Sequence, residues 1–132
     1  MKKKFMVIAA LGVSLAIVCV PGFAHHGSAA YETNGSLTLK ATMTEFRFIN
    51  PHCQVLFDVK NDQGEVEHWQ GELTAPNKLA RAGWTKHSLN VGDQITVSGF
   101  PAKGGARSIW IRKLVGPDGQ PLQLSEGDAA SN

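Results

Sequence analysis

Cysteine is scarce in this sequence. Cys19 and Cys53 are the only two, and Cys19 lies in an N-terminal segment that we predict to be removed. One remaining cysteine cannot form an intramolecular disulfide, even in an oxidising compartment. We therefore expect a buried apolar core to stabilise the folded part, and a chain of about 100 residues is long enough to form one.

An excess of one charge and the known catalytic motifs are also missing. After loss of Lys2, Lys3 and Lys4, 10 basic side chains stand against 11 acidic ones, so no basic patch favours a nucleic-acid partner. The sequence has no GxSxG, HExxH, CxxC, phosphate-binding loop or dinucleotide fingerprint, and no carboxylate pair spaced for general acid and base roles. Catalysis is therefore the function that the sequence supports least.

The N-terminal segment has the layout of a secretory signal peptide. Three lysines precede an uncharged apolar run at residues 5–20, and residues 21–24 end in a small side chain. The run has 16 residues, fewer than the roughly 20 that a membrane-spanning helix needs, and retention as an anchor is the alternative. We expect a periplasmic or secreted protein that meets the membrane only through this segment, before cleavage.

Two cleavage positions satisfy the preference of signal peptidase for small residues. Cleavage after Ala24 uses Gly22 and Ala24 and makes His25 the mature N-terminus, whereas cleavage after Ala30 uses Ser28 and Ala30. The first position is favoured because the second requires a long polar region after the apolar run.

Alternation of apolar and polar residues predicts β-strands in most of the mature chain. In the first strand, residues 36–46, the alternation reverses after Glu45, and a β-bulge near Thr44 would return Phe46 and Phe48 to the core. The remaining predicted elements are strands within 53–59, 65–73, 90–100 and 106–115, a short last strand within 116–124, and a helix within 74–84. Thr74 is the predicted N-cap of this helix and Gly83 its C′ residue. The segment NDQG, which begins at Asn61, predicts a hairpin turn between the second and third strands.

Five main strands with one short helix between the third and the fourth predict an all-β, OB-fold-like five-stranded barrel. A long, bent first strand can serve both halves of such a barrel. An open β-sandwich of similar strand count is the alternative. The predicted parts of the chain are a signal peptide at 1–24, a flexible N-terminal arm at 25–35, the OB-like β-barrel domain at 36–124 and a disordered tail at 125–132.

Several segments resemble a known protein family. The segments are AHH at the export junction, LTLKATMTEF, INPH at residues 49–52, PNKLARAGWTKHSLNVGD at residues 76–93 and the late PDGQPL. Together they resemble a family of small exported bacterial proteins that is classed as a domain of unknown function. The resemblance implies an exported β-rich domain and no activity. In that family a serine commonly follows the histidine pair, whereas here Gly27 intervenes before Ser28.

Histidines at the export junction are candidate metal ligands. Cleavage after Ala24 would give His25 a free α-amine, with an ordinary pKa of about 7.7 to 8.0, which a metal ion can deprotonate. The amine, the His25 ring and the His26 ring form a nitrogen-rich donor set that suits copper or nickel, Cu(II) or Ni(II), better than magnesium or calcium. His52, in the loop after the first strand, is the third candidate. The alternative is a solvated pair at a cleavage site and a His52 that orders its turn.

The second and third predicted strands supply a different set of candidate ligands. If Phe57 opposes Trp69, four polar side chains point away from the core. They are Gln54, Asp58, His68 and Glu72. OB-folds commonly bind ligands on this surface and on two loops, of which residues 101–107 would be the second. We predict a non-catalytic binding protein for a small ligand or a protein, with a copper-binding protein as the alternative. The purely structural alternative is that these four side chains form an ordinary polar outer face with no ligand.

The same parity assigns several other side chains. Cys53 shares the face of Val55 and Phe57, so we predict that its thiol lies in the core. Trp69 and Trp84 are predicted to pack in the core. The remaining tryptophan, Trp110, stands between two isoleucines, and its face is not readable from the pattern.

Overall fold

The computed structural model describes residues 27–126, so the predicted signal peptide and most of the predicted tail lie outside the described residues. The strands are β1 (Leu37–Arg47), β2 (Gln54–Lys60), β3 (Val66–Glu72), β4 (Gln94–Pro101), β5 (Ser108–Val115) and β6 (Pro121–Leu122). The helix α1 (Pro76–Arg81) lies between β3 and β4, and 3-10 turns occur at Gly27–Ala30 and Lys103–Gly105.

β1 is long because it pairs with two different strands. Its N-terminal half is antiparallel to β4 and its C-terminal half is antiparallel to β2. The pairing with β2 shifts register between Met43 and Glu45, which confirms the predicted bulge. Phe46 and Phe48, beyond the bulge, pack against the core. Because a bulge bends its strand, β1 can take part in both halves of the structure.

β2 and β3 form the predicted hairpin with the predicted register. Phe57 pairs with Trp69 across the two strands. The Asn61 side chain organises the turn, since its Oδ1 accepts hydrogen bonds from the backbone N–H groups of Gln63 at 3.0 Å and Glu65 at 2.9 Å. The presence of a turn here follows from the residue type, because asparagine side chains readily bond to the backbone two residues ahead.

Parallel pairing between β3 and β5 closes the sheet into a barrel. The strand order is β3-β2-β1-β4-β5-β6, and an additional β3–β5 pairing joins the first strand of this order to the fifth. In that pairing Gly71 lies opposite Ile109 and Glu72 lies opposite Trp110. The two-residue β6 adds to the edge of β5. The fold is therefore a closed five-stranded barrel with one short helix, as predicted, and not an open β-sandwich.

The barrel interior contains the apolar side chains that the alternation of apolar and polar residues assigns to it. Cys53 and Val55 are fully buried and Phe57 is 1% exposed, which confirms the predicted inner face of β2. Burial raises the pKa of the Cys53 thiol above its ordinary value. Trp84 is also buried, and its indole N–H donates to the Gln123 carbonyl at 2.6 Å. Cys53 is thus a small core residue.

The start of α1 corrects one prediction. We expected Thr74 to cap the helix, but the N-cap is Ala75 and no side chain caps the first turn. Pro76 stands in that turn, where its fixed φ and missing N–H suit a helix start, so the proline decides where the helix begins. The predicted end is confirmed, since Gly83 follows the C-cap with a φ of +91°.

Candidate functional site

His52 and Glu72 form the centre of a polar cluster at the end of the β2–β3 hairpin. Antiparallel bonding continues past both strands, because Leu73 N–H donates to the Cys53 carbonyl at 2.8 Å and Cys53 N–H donates to the Thr74 carbonyl at 3.1 Å. This holds the two side chains together, and Nδ1 of His52 hydrogen bonds to Oε1 of Glu72. The side chains are 27% and 20% exposed, so the pair lies at the rim of the barrel.

Tyr31 reaches this pair from the N-terminal arm. Its hydroxyl donates to Oε2 of Glu72 at 2.7 Å and lies 3.2 Å from Oγ of Ser108. The residue is only 6% exposed. Burial is the main cause that raises the pKa of Tyr31 to about 12; the Glu72 carboxylate adds to the rise and the Ser108 hydrogen bond opposes it. Tyr31 is therefore a neutral hydrogen-bond donor at physiological pH.

Glu72 orients two rings at once. One carboxylate oxygen bonds to His52 and the other accepts from Tyr31, and such charge-assisted bonds restrict both partners. Because Nδ1 of His52 faces the carboxylate, Nε2 is the ring nitrogen left for a ligand. Glu72 was predicted to face a ligand, and that role stays a prediction; its contacts within the described residues favour a positioning role.

Trp110 provides the aromatic wall of the cluster. It is the β5 residue opposite Glu72, and it points outward because Ile109 and Ile111 on either side of it are buried. Its ring centroid lies 5.3 Å from that of His52 and 5.8 Å from that of Tyr31, both in edge-to-face arrangements. We call the following set the Glu72 cluster: Tyr31, His52, Glu72, Ser108 and Trp110.

The arm that carries Tyr31 is attached to the loop between β4 and β5. Tyr31 forms an isolated antiparallel bridge with Ala102, and Glu32 N–H donates to the Pro101 carbonyl at 2.9 Å. Lys103 extends this contact toward the N-terminus, since its Nζ donates to the Ala29 carbonyl at 2.8 Å. Tyr31 belongs to the predicted flexible arm, but this loop and the barrel rim bury its side chain.

The predicted outer face of β2 and β3 has the predicted register, and its members divide into two groups. Gln54 pairs with Glu72, and Asp58 pairs with His68. Nδ1 of His68 lies 2.6 Å from Oδ1 of Asp58, and the His68 side chain is 84% exposed. Gln54 accepts a long 3.4 Å bond from Arg47. Only Glu72 of this set joins the Glu72 cluster, and the ligand-binding role of the set stays a prediction.

The predicted metal ligands fall into two classes. His25 and His26 lie outside the described residues, and His52 lies in the Glu72 cluster. Within residues 27–126, no group of three or more histidine, cysteine, aspartate or glutamate side chains is arranged to hold a metal ion. A metal at His52 would therefore need donors from elsewhere in the chain, and the metal prediction stays open.

Three members of the Glu72 cluster were missed at the sequence level. Tyr31 lies among small and polar residues that indicate a loop, Ser108 has no motif around it, and Trp110 has apolar neighbours on both sides. The parallel β3–β5 pairing brings the last two to Glu72, and no local pattern reports such a pairing. The one available signal is that Tyr31 is the sole tyrosine in the chain.

Comparison with known proteins gives a family and no activity. The family described as "Family of unknown function (DUF6152)" matches residues 12–110, a span that includes the INPH and PNKLARAGW segments. No curated protein matches the chain. Among the residues that the structure describes, none of the helices has the length and apolar character needed to cross a membrane.

Proposed function

We propose that this chain, which belongs to the family of unknown function DUF6152, is an exported, periplasmic binding protein of the OB type. We further propose that it is not a catalyst and that the Glu72 cluster is its ligand site. One observation carries the proposal: Glu72 holds a histidine and a tyrosine from distant parts of the chain in fixed orientations beside a half-buried aromatic ring.

The chemistry of the Glu72 cluster suits a small polar ligand with a flat apolar portion. Ligand sites commonly combine an aromatic wall with a few placed polar groups. Trp110 supplies the wall, and Nε2 of His52 and Oγ of Ser108 supply polar groups. Glu72 uses its oxygens internally, which holds the site in one arrangement before a ligand arrives and lowers the entropy cost of binding.

Ligand-observed NMR against a library of small polar aromatic compounds tests this site. We expect compounds that bind the wild type to show no binding-dependent change in their NMR signals with His52→Ala or with Trp110→Ala. His68→Ala is the matched control, because His68 also pairs with a carboxylate through Nδ1, that of Asp58, but its side chain is exposed and lies outside the Glu72 cluster. Equal binding by the His52 and His68 variants would contradict the proposal.

Export is supported by the lysines, apolar run and small residues of the N-terminal segment. Cleavage after Ala24 is further supported by the contacts of Ala29 and by the 3-10 turn at Gly27–Ala30, which cleavage after Ala30 would remove. Mass spectrometry of the protein from a periplasmic fraction is expected to give His25 as the first residue. A mature N-terminus at Tyr31 would overturn this assignment and the copper alternative with it.

A second candidate function is copper binding by His25, His26 and His52. The observation that favours it is the hydrogen bond from His52 Nδ1 to Glu72, because metal-binding histidines usually bond their other ring nitrogen to such a carboxylate. The docked arm also favours it. His26 is five positions from Tyr31, which limits their separation to about 17 Å, and the Tyr31 ring lies beside Trp110 and near His52.

Calorimetry with Cu(II) tests the copper candidate on residues 25–132 with the native His25 amine. We expect His25→Ala, His26→Ala and His52→Ala each to weaken binding at least about tenfold, and Glu72→Gln to weaken it by about 10- to 100-fold, as removal of an orienting partner does. His87→Ala is the control, because His87 lies in an exposed loop. If all the proteins bind copper equally, these histidines are not its ligands.

A further inference from the structure

A separate hollow of about 250 Å³ lies on the outer side of β5. It is bounded by α1, by the segment that joins β3 to α1 and by residues that follow β6. The side chains that decide its chemistry are Leu73, Lys78, Trp110, Arg112 and Leu124. We call this set the Arg112 pocket. It shares only Trp110 with the Glu72 cluster.

Two cations border the Arg112 pocket. Arg112 lies two positions from Trp110 on the outer side of β5, and its guanidinium carbon is 5.9 Å from the Phe100 ring centroid. Lys78 reaches the pocket from the exposed side of α1. None of the described residues that line the pocket is acidic. This combination gives the pocket a positive potential that attracts anions.

The two cations are not neutralised within residues 27–126. Ion pairs closer than 4.0 Å in that part of the chain use other partners, namely Arg47, His52, His68 and Arg107. Glu126 lines a neighbouring hollow together with Lys78, but the two side chains form no ion pair closer than 4.0 Å among the described residues. An incoming anion would therefore find both cations unengaged by a described carboxylate.

The floor of the Arg112 pocket is apolar. Leu73 is 1% exposed, Leu124 is half-buried and packs against the core, and the Trp110 ring forms one side. Pockets for drug-sized molecules usually have about 300 to 1,000 Å³, so this hollow suits something smaller. Apolar area beneath two cations calls for a ligand that has one anionic end and one apolar end.

We propose that the Arg112 pocket binds a small carboxylate with an apolar body, of which an aromatic monocarboxylate is the simplest example. The Arg112 guanidinium matches a carboxylate in a two-point arrangement, and Lys78 adds a second positive charge. The ring of the ligand lies on Leu73 and Leu124 beside Trp110, which contributes an aromatic contact. This site goes beyond the proposed function, because it is a separate pocket and its ligand is specifically an anion.

Calorimetry with benzoate tests the proposal on the mature chain. We expect benzoate to bind the wild type and its affinity to fall at least tenfold with Arg112→Gln, about 1.4 kcal/mol, and severalfold with Lys78→Gln. Lys113→Gln is the matched control, because Lys113 adjoins Arg112 in the sequence, is also exposed and does not line the pocket. Benzyl alcohol, the neutral analogue, is expected to bind more weakly than benzoate.

Three results would overturn the proposal. The first is no measurable binding at about 10 mM benzoate, roughly ten times a Kd of about 1 mM. The second is an equal loss with Arg112→Gln and Lys113→Gln, which would indicate general charge attraction. The third is equal affinity for benzoate and benzyl alcohol. Neither Arg112 nor Lys78 belongs to the Glu72 cluster, so the effect of their substitution on benzoate affinity reports the Arg112 pocket alone, and its failure remains distinguishable from failure of the Glu72 cluster as a ligand site.

Discussion

At the residue scale, Glu72 links side chains from three parts of the chain. It lies opposite Trp110 through the parallel pairing, accepts from Tyr31 and bonds to His52. Each contact involves a group that is at least partly removed from water, where hydrogen bonds to a charged acceptor contribute more than they do at the surface. Two measurable consequences follow from these contacts.

Glu72→Gln is expected to destabilise the protein at neutral pH. Glutamine keeps the shape but loses the charge and replaces one of the two acceptor oxygens by an NH2 donor, so the bonds to His52 and Tyr31 cannot both be kept as charge-assisted bonds. We expect the free energy of unfolding to fall by about 1 to 3 kcal/mol, measured by urea denaturation with tryptophan fluorescence. Glu32→Gln, at an exposed position of the arm, is the control. Equal stability of the two variants would mean that the Glu72 contacts contribute nothing measurable.

Tyr31 is expected to titrate far above an ordinary tyrosine. Burial raises its pKa from 10.0 to about 12, so between these values the unfolded chain loses the proton while the folded chain keeps it. Stability is therefore unaffected below pH 10 and decreases as the pH rises toward 12. Because Tyr31 is the single tyrosine, tyrosinate absorbance reports it alone.

A titration midpoint near 10 in the folded protein would contradict the burial of the Tyr31 hydroxyl. Tyr31→Phe gives the matching control for stability. Its free energy of unfolding is expected to lack the decrease that the wild type shows between pH 10 and pH 12, since the variant has no phenol to ionise there.

At the element scale, two buried glycines allow β5 to approach its neighbours closely. Gly99 lies at a register shift in the β4–β5 pairing, and a Cβ atom there would overlap the backbone carbonyl oxygen of Trp110. Gly71 lies in the β3–β5 pairing, and a Cβ atom there would overlap the Cδ1 end of the Ile111 side chain. The first neighbour is backbone and cannot turn away, whereas the second is a rotatable side chain.

Gly99→Ala is therefore expected to cost more stability than Gly71→Ala. Adding a methyl group to a packed interior typically costs about 1 to 3 kcal/mol; we expect Gly71→Ala near the lower end and Gly99→Ala at about 3 kcal/mol or more. Urea denaturation of both variants measures the difference. A larger loss with Gly71→Ala would show that β5 can shift as a unit and that the carbonyl of Trp110 is not a rigid obstacle.

At the scale of the whole molecule, closure makes the barrel interdependent. Each of the five main strands has at least two hydrogen-bonded neighbours, because β3, at one end of the sheet, also pairs with β5. No one of these strands can separate without breaking two ladders. We expect such an arrangement to unfold in one cooperative transition, as small single domains usually do.

Cys53 reports this transition, because its thiol is fully buried and it is the sole cysteine after the predicted cleavage. We expect a thiol reagent to label it slowly in native conditions and to label it in urea along the same curve as tryptophan fluorescence. The control is a Cys53→Ala, Lys86→Cys double variant, in which the exposed thiol reacts at once. Rapid native labelling of Cys53 would indicate local opening of the β2 end instead of global unfolding.

Local patterns in the sequence accounted for the strands and their faces. The alternation in β2 assigned Cys53 and Phe57 to the core, the phase reversal after Glu45 indicated the bulge, and Asn61 indicated the hairpin turn. Each of these features depends on side-chain period or turn chemistry within a few residues, so the sequence contains it directly. The helix start was the exception, since Thr74 has the chemistry of a cap but Pro76 determines the geometry.

The sequence by itself determined the barrel elements, the β2–β3 register and the place of His52 in the loop after β1, because these depend on neighbours along the chain. Only the tertiary structure decided that the His52 side chain contacts Glu72. It also decided the two contacts of the Tyr31 hydroxyl, with Glu72 at 41 positions and with Ser108 at 77 positions along the chain. The His52–Glu72 contact depends on antiparallel bonding that continues past the ends of β2 and β3. The approach of Ser108 and Trp110 to Glu72 depends on closure of the barrel between β3 and β5, and the pairing of strands distant in sequence leaves no periodic trace in either one.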